Sequence, residues 1–137
     1  MEILVDSDVL INVLRKNPDS NCVELVKKIE RGEIKGFVST ITVFELYYGA
    51  YLFHDAGKAV NSMKKLLSIF EILDLPITVS MHAGKIGAEL KNNGLEIEFR
   101  DLLIGATALK FDLRLSTLNK NHFSRIPDLE ILDIGKC

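Results

Sequence analysis

A chain of 137 residues, 47% hydrophobic and 26% charged, has room for one domain with a buried core and lies well outside the disordered class. A formal charge of -2 and a pI near 5.9 exclude a constitutive basic coat for nucleic acid, while leaving a selective RNA substrate open. Cys22 and Cys137 lack the spacing of a zinc site or a disulfide framework, and no apolar run approaches the ~20 residues of a membrane span. With an acid directly after Met1 and only a short Ile3-Leu4-Val5 run behind it, a secretory signal is not expected either. The expectation is a single domain over residues 1–137, cytoplasmic, with plain thiols.

Glu2 to Val5 reads as a short strand ending at Asp6, and Ser7 to Arg15 has helical apolar spacing, with Ser7 or Asp8 as candidate caps. Asn21 to Arg31 is a second helix with Val23, Val26 and Ile29 inward, stopped by Gly32. Gly36 to Ser39 is the second strand. Ile41 to Phe53 is a helix apolar almost all round, so one face meets the sheet and the other meets a further helix or a second subunit. Lys58 to Phe70 is helical, Ile72 to Leu75 is a strand stopped by Pro76, and Val79 to Asn92 is a helix ended by Gly94. Asp101 to Phe111 is the next helix, Arg114 to Thr117 a strand, Asn119 to Phe123 one helical turn, and Glu130 to Ile134 a closing strand. Strands alternating with helices throughout predict an α/β domain with a mainly parallel sheet covered on both faces.

In such sheets the reactive crevice lies beyond the carboxyl ends of the strands. Asp6 ends the first strand there, and Glu45 sits in the second turn of the helix that follows strand two. Asn119 follows the fourth strand. Asp101 reaches the same edge only if the chain returns after its preceding helix. Residues 93–100, if extended, span about 26 Å, and the helix over 79–92 is about 21 Å long, so the return is feasible.

Three carboxylates within about 5 Å of one another cost roughly 3 kcal/mol per like-charge pair at an effective dielectric near 20. Either one takes up a proton or a cation binds. Oxygen donors without histidine or thiolate favour Mg²⁺ or Mn²⁺, which activates water toward a phosphodiester. That would explain a lone acid in Phe44-Glu45-Leu46-Tyr47-Tyr48-Gly49-Ala50, where small Thr42 and Gly49 leave room beside it. On this reading, removing Asp6 leaves the metal-free fold equally or slightly more stable, by relief of repulsion. Plainer readings exist for each part. Asp6-Ser7-Asp8 and Asp101 suit helix N-termini, Asn119 suits a turn, and His54, His82 and His122 suit surface or packing. Arg100, Lys120 and Arg125 flank the proposed rim as candidates to meet phosphate, with surface charge as their plain reading.

Four blocks together resemble the PIN-domain family, and within it the VapC-type toxin ribonucleases. They are Ile3-Leu4-Val5-Asp6-Ser7-Asp8, Ser39-Thr40-Ile41-Thr42-Val43-Phe44-Glu45, Asp101-Leu102-Leu103-Ile104-Gly105-Ala106-Thr107-Ala108, and Thr117-Leu118-Asn119-Lys120-Asn121-His122-Phe123 followed by Ile126-Pro127. The resemblance implies a three-layer α/β/α fold, an Mg²⁺- or Mn²⁺-dependent endoribonuclease, a homodimer and a VapB-type antitoxin partner; the helix over 41–53, apolar almost all round, is the expected dimer surface. The resemblance also makes Asp6, Glu45 and Asp101 the metal-holding acids and puts Asn119 in the fourth catalytic position. An amide there leaves the site less negative, so one well-occupied ion and a weaker second are expected. Gly87 departs from the family, in which a basic residue is frequent at that place.

The rivals are weaker. A receiver domain would need its acceptor, here Asp74, much closer to Asp6, and a haloacid-dehalogenase-like phosphatase would need glycine and threonine after Asp8. A catalytically silent PIN-like binding module is the remaining alternative.

Overall fold

A computed structural model describes residues 1–136; the thiol reading of Cys137 falls outside them. The first half of the chain forms β1 (Glu2–Val5), α1 (Ser7–Leu14), α2 (Ser20–Glu30), β2 (Lys35–Ser39), α3 (Thr40–Leu52) and α4 (Ala56–Leu67). The second half forms β3 (Glu71–Leu73), α5 (Ile77–Asn92), α6 (Phe99–Lys110), β4 (Arg114–Ser116) and the short α7 (Lys120–Phe123), before a 3-10 turn at Ile134–Lys136. The glycines at the ends of α2 and α5 act as stops: Gly32 and Gly94 adopt φ of +79° and +71°, a region costly for any residue with a Cβ.

The four strands form one parallel sheet in the order β3-β2-β1-β4. Successive side chains of a strand point to opposite faces, and β1 shows this directly. Ile3 and Val5 belong to a core with Leu10, Leu25, Leu46 and Met63 from α1 to α4. Leu4, between them, belongs to a second core with Ile86, Ile104, Leu115 and Phe123 from the other half of the chain. Helices therefore cover both faces, giving the expected three layers. Cys22 is a buried free thiol in the first core. From β1 the chain proceeds outward through β2 and β3, then returns to add β4 on the other side of β1. Strand order thus reverses between β1 and β4, and the crevice at their carboxyl ends is the place where such folds build sites.

Two expectations need correcting. The closing strand over 130–134 shrinks to one parallel bridge between Leu115 and Ile131. The chain enters it from Asp128 at φ +67° and leaves it in a turn where Asp133 Oδ1 accepts from the Gly135 N–H at 3.1 Å, so no ladder extends. The cap of α1 is Asp6 itself rather than Ser7 or Asp8, its carboxylate accepting from the Ser7 N–H at 2.8 Å. Capping and a place at the strand edge are therefore both true of Asp6.

Candidate active site

Asp6 leaves β1 with its N–H bonded to Ser116 O of β4 at 2.9 Å, so the ladder continues to the edge of the sheet and holds the residue there. Its side chain is 1% exposed. Glu45 lies in the second turn of α3, which begins where β2 ends because the Ser39 hydroxyl caps it, accepting from the Thr42 N–H at 3.2 Å. Asp101 sits in the first turn of α6 and is 2% exposed. The chain does return after α5: residues 95–98 run without helix, and α6 starts back at the carboxyl edge.

The three acids meet on Arg100. One guanidinium nitrogen, Nη2, donates to Asp6 Oδ1 at 2.9 Å, to Glu45 Oε1 at 2.6 Å and to the Ser7 hydroxyl at 2.8 Å. Nη1 pairs with Asp101 Oδ1. Nε lies 2.6 Å from Glu45 Oε2 as an ion pair, without the angle of a hydrogen bond. Burial opposes the charge on Arg100, but the Glu45 hydrogen bond and the charge of Asp6 outweigh it and hold the group above the usual arginine range. The plain surface reading of Arg100 was wrong, and an acid inside an apolar helix is accounted for: Glu45 faces a cation. The Ser7 hydroxyl also donates to Glu45 Oε1 at 2.9 Å.

The back of the site is built on Thr117, directly after β4. Its hydroxyl lies 2.9 Å from Asp6 Oδ2 and 3.2 Å from Asp8 Oδ2, and the Leu118 N–H donates to Asp8 Oδ2 at 3.1 Å. Asp8 Oδ1 is buried with no hydrogen-bond partner among the described residues. Burial first, then the charge of Asp6, push the Asp8 carboxyl up to about 6. Burial likewise raises Asp101, against the lowering charge of Arg100. Asn119 stands apart from the carboxylates. Its amide meets His122 Nδ1 at 3.0 Å, and that nitrogen is 3.4 Å from Asp101 Oδ2, so the histidine links Asn119 to the cluster.

A carboxyl raised on folding costs nothing below its ordinary 3.8 and destabilises increasingly as pH climbs through its folded value. For Asp8 the penalty sets in between pH 4 and 6 and reaches at most about 3 kcal/mol above that. Metal-free protein should therefore melt lower at pH 7 than at pH 5, and Asp8→Asn should flatten that slope in calorimetry.

No three Asp, Glu, His or Cys side chains among the described residues are disposed to share a metal ion. The cation the acids surround is the arginine.

Comparison with known proteins decides the family. The PIN-domain model matches residues 3–129. This chain belongs to the PIN-domain family. It is 31% identical over 126 residues, 92% of each chain, to the ribonuclease VapC2 of Haemophilus influenzae. Among solved structures it resembles VapBC2 from Rickettsia felis bound to a promoter DNA fragment, at TM-score 0.85, 27% identity and coverage of 96% and 98% of the two chains. It also resembles DNA-bound VapBC from Salmonella typhimurium, at TM-score 0.86, 27% identity and 98% coverage of each. The protein is accordingly a PIN-domain ribonuclease of the VapC group. The departure at Gly87 has a packing reason: a Cβ there would meet Leu102 Cδ1 at 2.7 Å, so the bare backbone lets α5 lie close against α6.

Of the residues read from sequence, Asp6, Glu45 and Asp101 meet around one cation, and Asn119 joins through His122. Arg100, placed at the rim with surface charge as its plain reading, Ser7, read as a cap, and His122, read as surface or packing, belong to the site instead, and Thr117 was given no role. Ser7 and Arg100 each adjoin a chosen acid, the sequence signal that points to them most directly.

Proposed function

We propose that the chain is the toxin of a VapBC-type toxin-antitoxin pair, an endoribonuclease that uses Mg²⁺ or Mn²⁺ held by Asp6, Glu45 and Asp101. The observation that carries this is the convergence of three carboxylates, from three separate elements, on a single cation position at the switch point of the sheet. The donor set suits a hard divalent ion: oxygen only, with Asp8 contributing a further buried and unpartnered oxygen behind it. When bound, such an ion lowers the pKa of water and offsets the charge that builds on a phosphodiester under attack.

The chain's own side chains do the rest. Asp6 and Asp101, almost wholly buried, are the principal ligands, and their burial strengthens every charge interaction at the site. Thr117 fixes the second oxygen of Asp6, so its first oxygen keeps one direction. Ser7 steadies Glu45, which is the more exposed acid and the one nearest entering RNA. Asn119, oriented by His122, is assigned to positioning the attacking water.

Partners follow from the same family. A VapB-type antitoxin is proposed, together with a homodimer. Phe44, Tyr48, Tyr51 and Leu52 of α3 are each at least 60% exposed, an apolar strip that favours burial against another chain. No helix of the described residues is long and apolar enough to cross a membrane.

The test is sequencing of RNA ends after incubating total RNA with purified protein. Discrete new ends are expected with Mg²⁺ or Mn²⁺ and none in EDTA. The same ends in EDTA would remove the metal from the proposal.

A further inference from the structure

The acids of the site are already neutralised in part by a side chain of the same polypeptide, and the atoms involved matter. Asp6 Oδ1, Glu45 Oε1 and Asp101 Oδ1 are the oxygens engaged by Arg100. The second oxygen of Asp6 is turned away to Thr117, and that of Asp101 lies toward His122. A divalent ion shared by these acids would need the oxygens the guanidinium holds. Both cations cannot occupy them together.

Resting on the metal-dependent reading above, we propose that Arg100 is a resident counter-ion of the metal site, so that uptake of a divalent ion and release of the guanidinium are a single exchange. The position of Arg100 permits it. The residue belongs to the first turn of α6, next to the exposed Phe99, and its side chain keeps 22% exposure at the rim. Its stem can turn outward without disturbing either core.

Charge balance favours the exchange once an ion is offered. Three ionised carboxylates against one guanidinium leave two negative charges uncompensated, and a dication compensates one charge more. The seat is also imperfect for the arginine, because its Nε sits beside Glu45 without hydrogen-bond geometry. In the absence of metal, however, the ion pairs keep buried acids from repelling one another. The consequence is a fold that persists without metal, and a metal affinity weakened by the work of expelling the guanidinium. Such an enzyme responds to abundant divalent ion and not to traces of it.

The exchange is read by calorimetric titration of Mn²⁺ into the full chain without RNA, wild type beside Arg100→Gln. The variant should bind Mn²⁺ at least tenfold more tightly. Equal or weaker binding by the variant, with Mn²⁺ taken up by both, would overturn the exchange and leave the metal site standing. Uptake by neither would remove the metal site and the exchange together. A second measurement needs no substitution. In ¹⁵N-labelled wild-type protein the Arg100 guanidinium should give a protected signal that moves to a solvent-exchanging position as Mg²⁺ is added. A signal unchanged at saturating Mg²⁺ would contradict the exchange even if Arg100→Gln fails to fold.

Discussion

Asp6→Asn is expected to lower RNA cleavage on the order of 10³-fold, the scale set by losing a polar group that acts directly on the reaction. Asparagine is the informative replacement. It caps a helix as well as aspartate does, so the start of α1 survives, while the negative charge the cation needs is gone. Alanine mixes two effects. Like-charge repulsion alone predicted that removing Asp6 would spare or slightly stabilise the metal-free fold. The structure reverses that expectation, because Asp6 accepts from Arg100, Thr117 and the Ser7 N–H and is almost completely buried. Asp6→Ala would leave those donors short of a partner and cost roughly 3 kcal/mol. Cleavage rates on RNA, with circular dichroism as the check on folding, separate the two. Wild-type cleavage by a folded Asp6→Asn protein would refute the role assigned to this carboxylate.

Phe123→Ala should cost about 3 to 5 kcal/mol, a large part of the 5 to 15 kcal/mol that a domain of this size commands. Phe123 is fully buried in the second core, with Ile104, Leu115 and Ile126. It also anchors α7, which has only four residues and no means of persisting by itself. Asn119 directly precedes that turn and His122 lies within it, so the substitution should loosen the Asn119–His122–Asp101 link as well as the core. Urea denaturation is the measurement: the midpoint should fall with the slope unchanged. A loss below about 1 kcal/mol would mean that the pocket closes over the missing ring and that α7 is held by something else.

The fold and the carboxylates were legible for one reason. Asp6 ends an apolar strand, Glu45 interrupts an apolar helix in its second turn and Asp101 stands in the first turn of another, and parallel α/β topology sends those places to one edge. Even the return of the chain after α5 could be judged from lengths. Arg100 was not legible, because a charged residue on the first turn of a helix is ordinarily solvated, and its partners Asp6 and Glu45 are 94 and 55 positions away. Only the packing of α3 and α6 against the sheet edge aims it inward. His122 was hidden in the same way, since its meeting with Asp101 depends on how α7 is seated by Phe123. The final strand failed because the apolar residues over 130–134 are only a local signal, and one bridge to Leu115 is all that the neighbouring turns allow.

The most direct measurement is anomalous diffraction from crystals of the full chain soaked in Mn²⁺. The account predicts a manganese peak bounded by Asp6, Glu45 and Asp101, with Arg100 turned out of its present seat. A protein that cleaves RNA while its crystals, saturated with Mn²⁺, show no peak among those three carboxylates would contradict it.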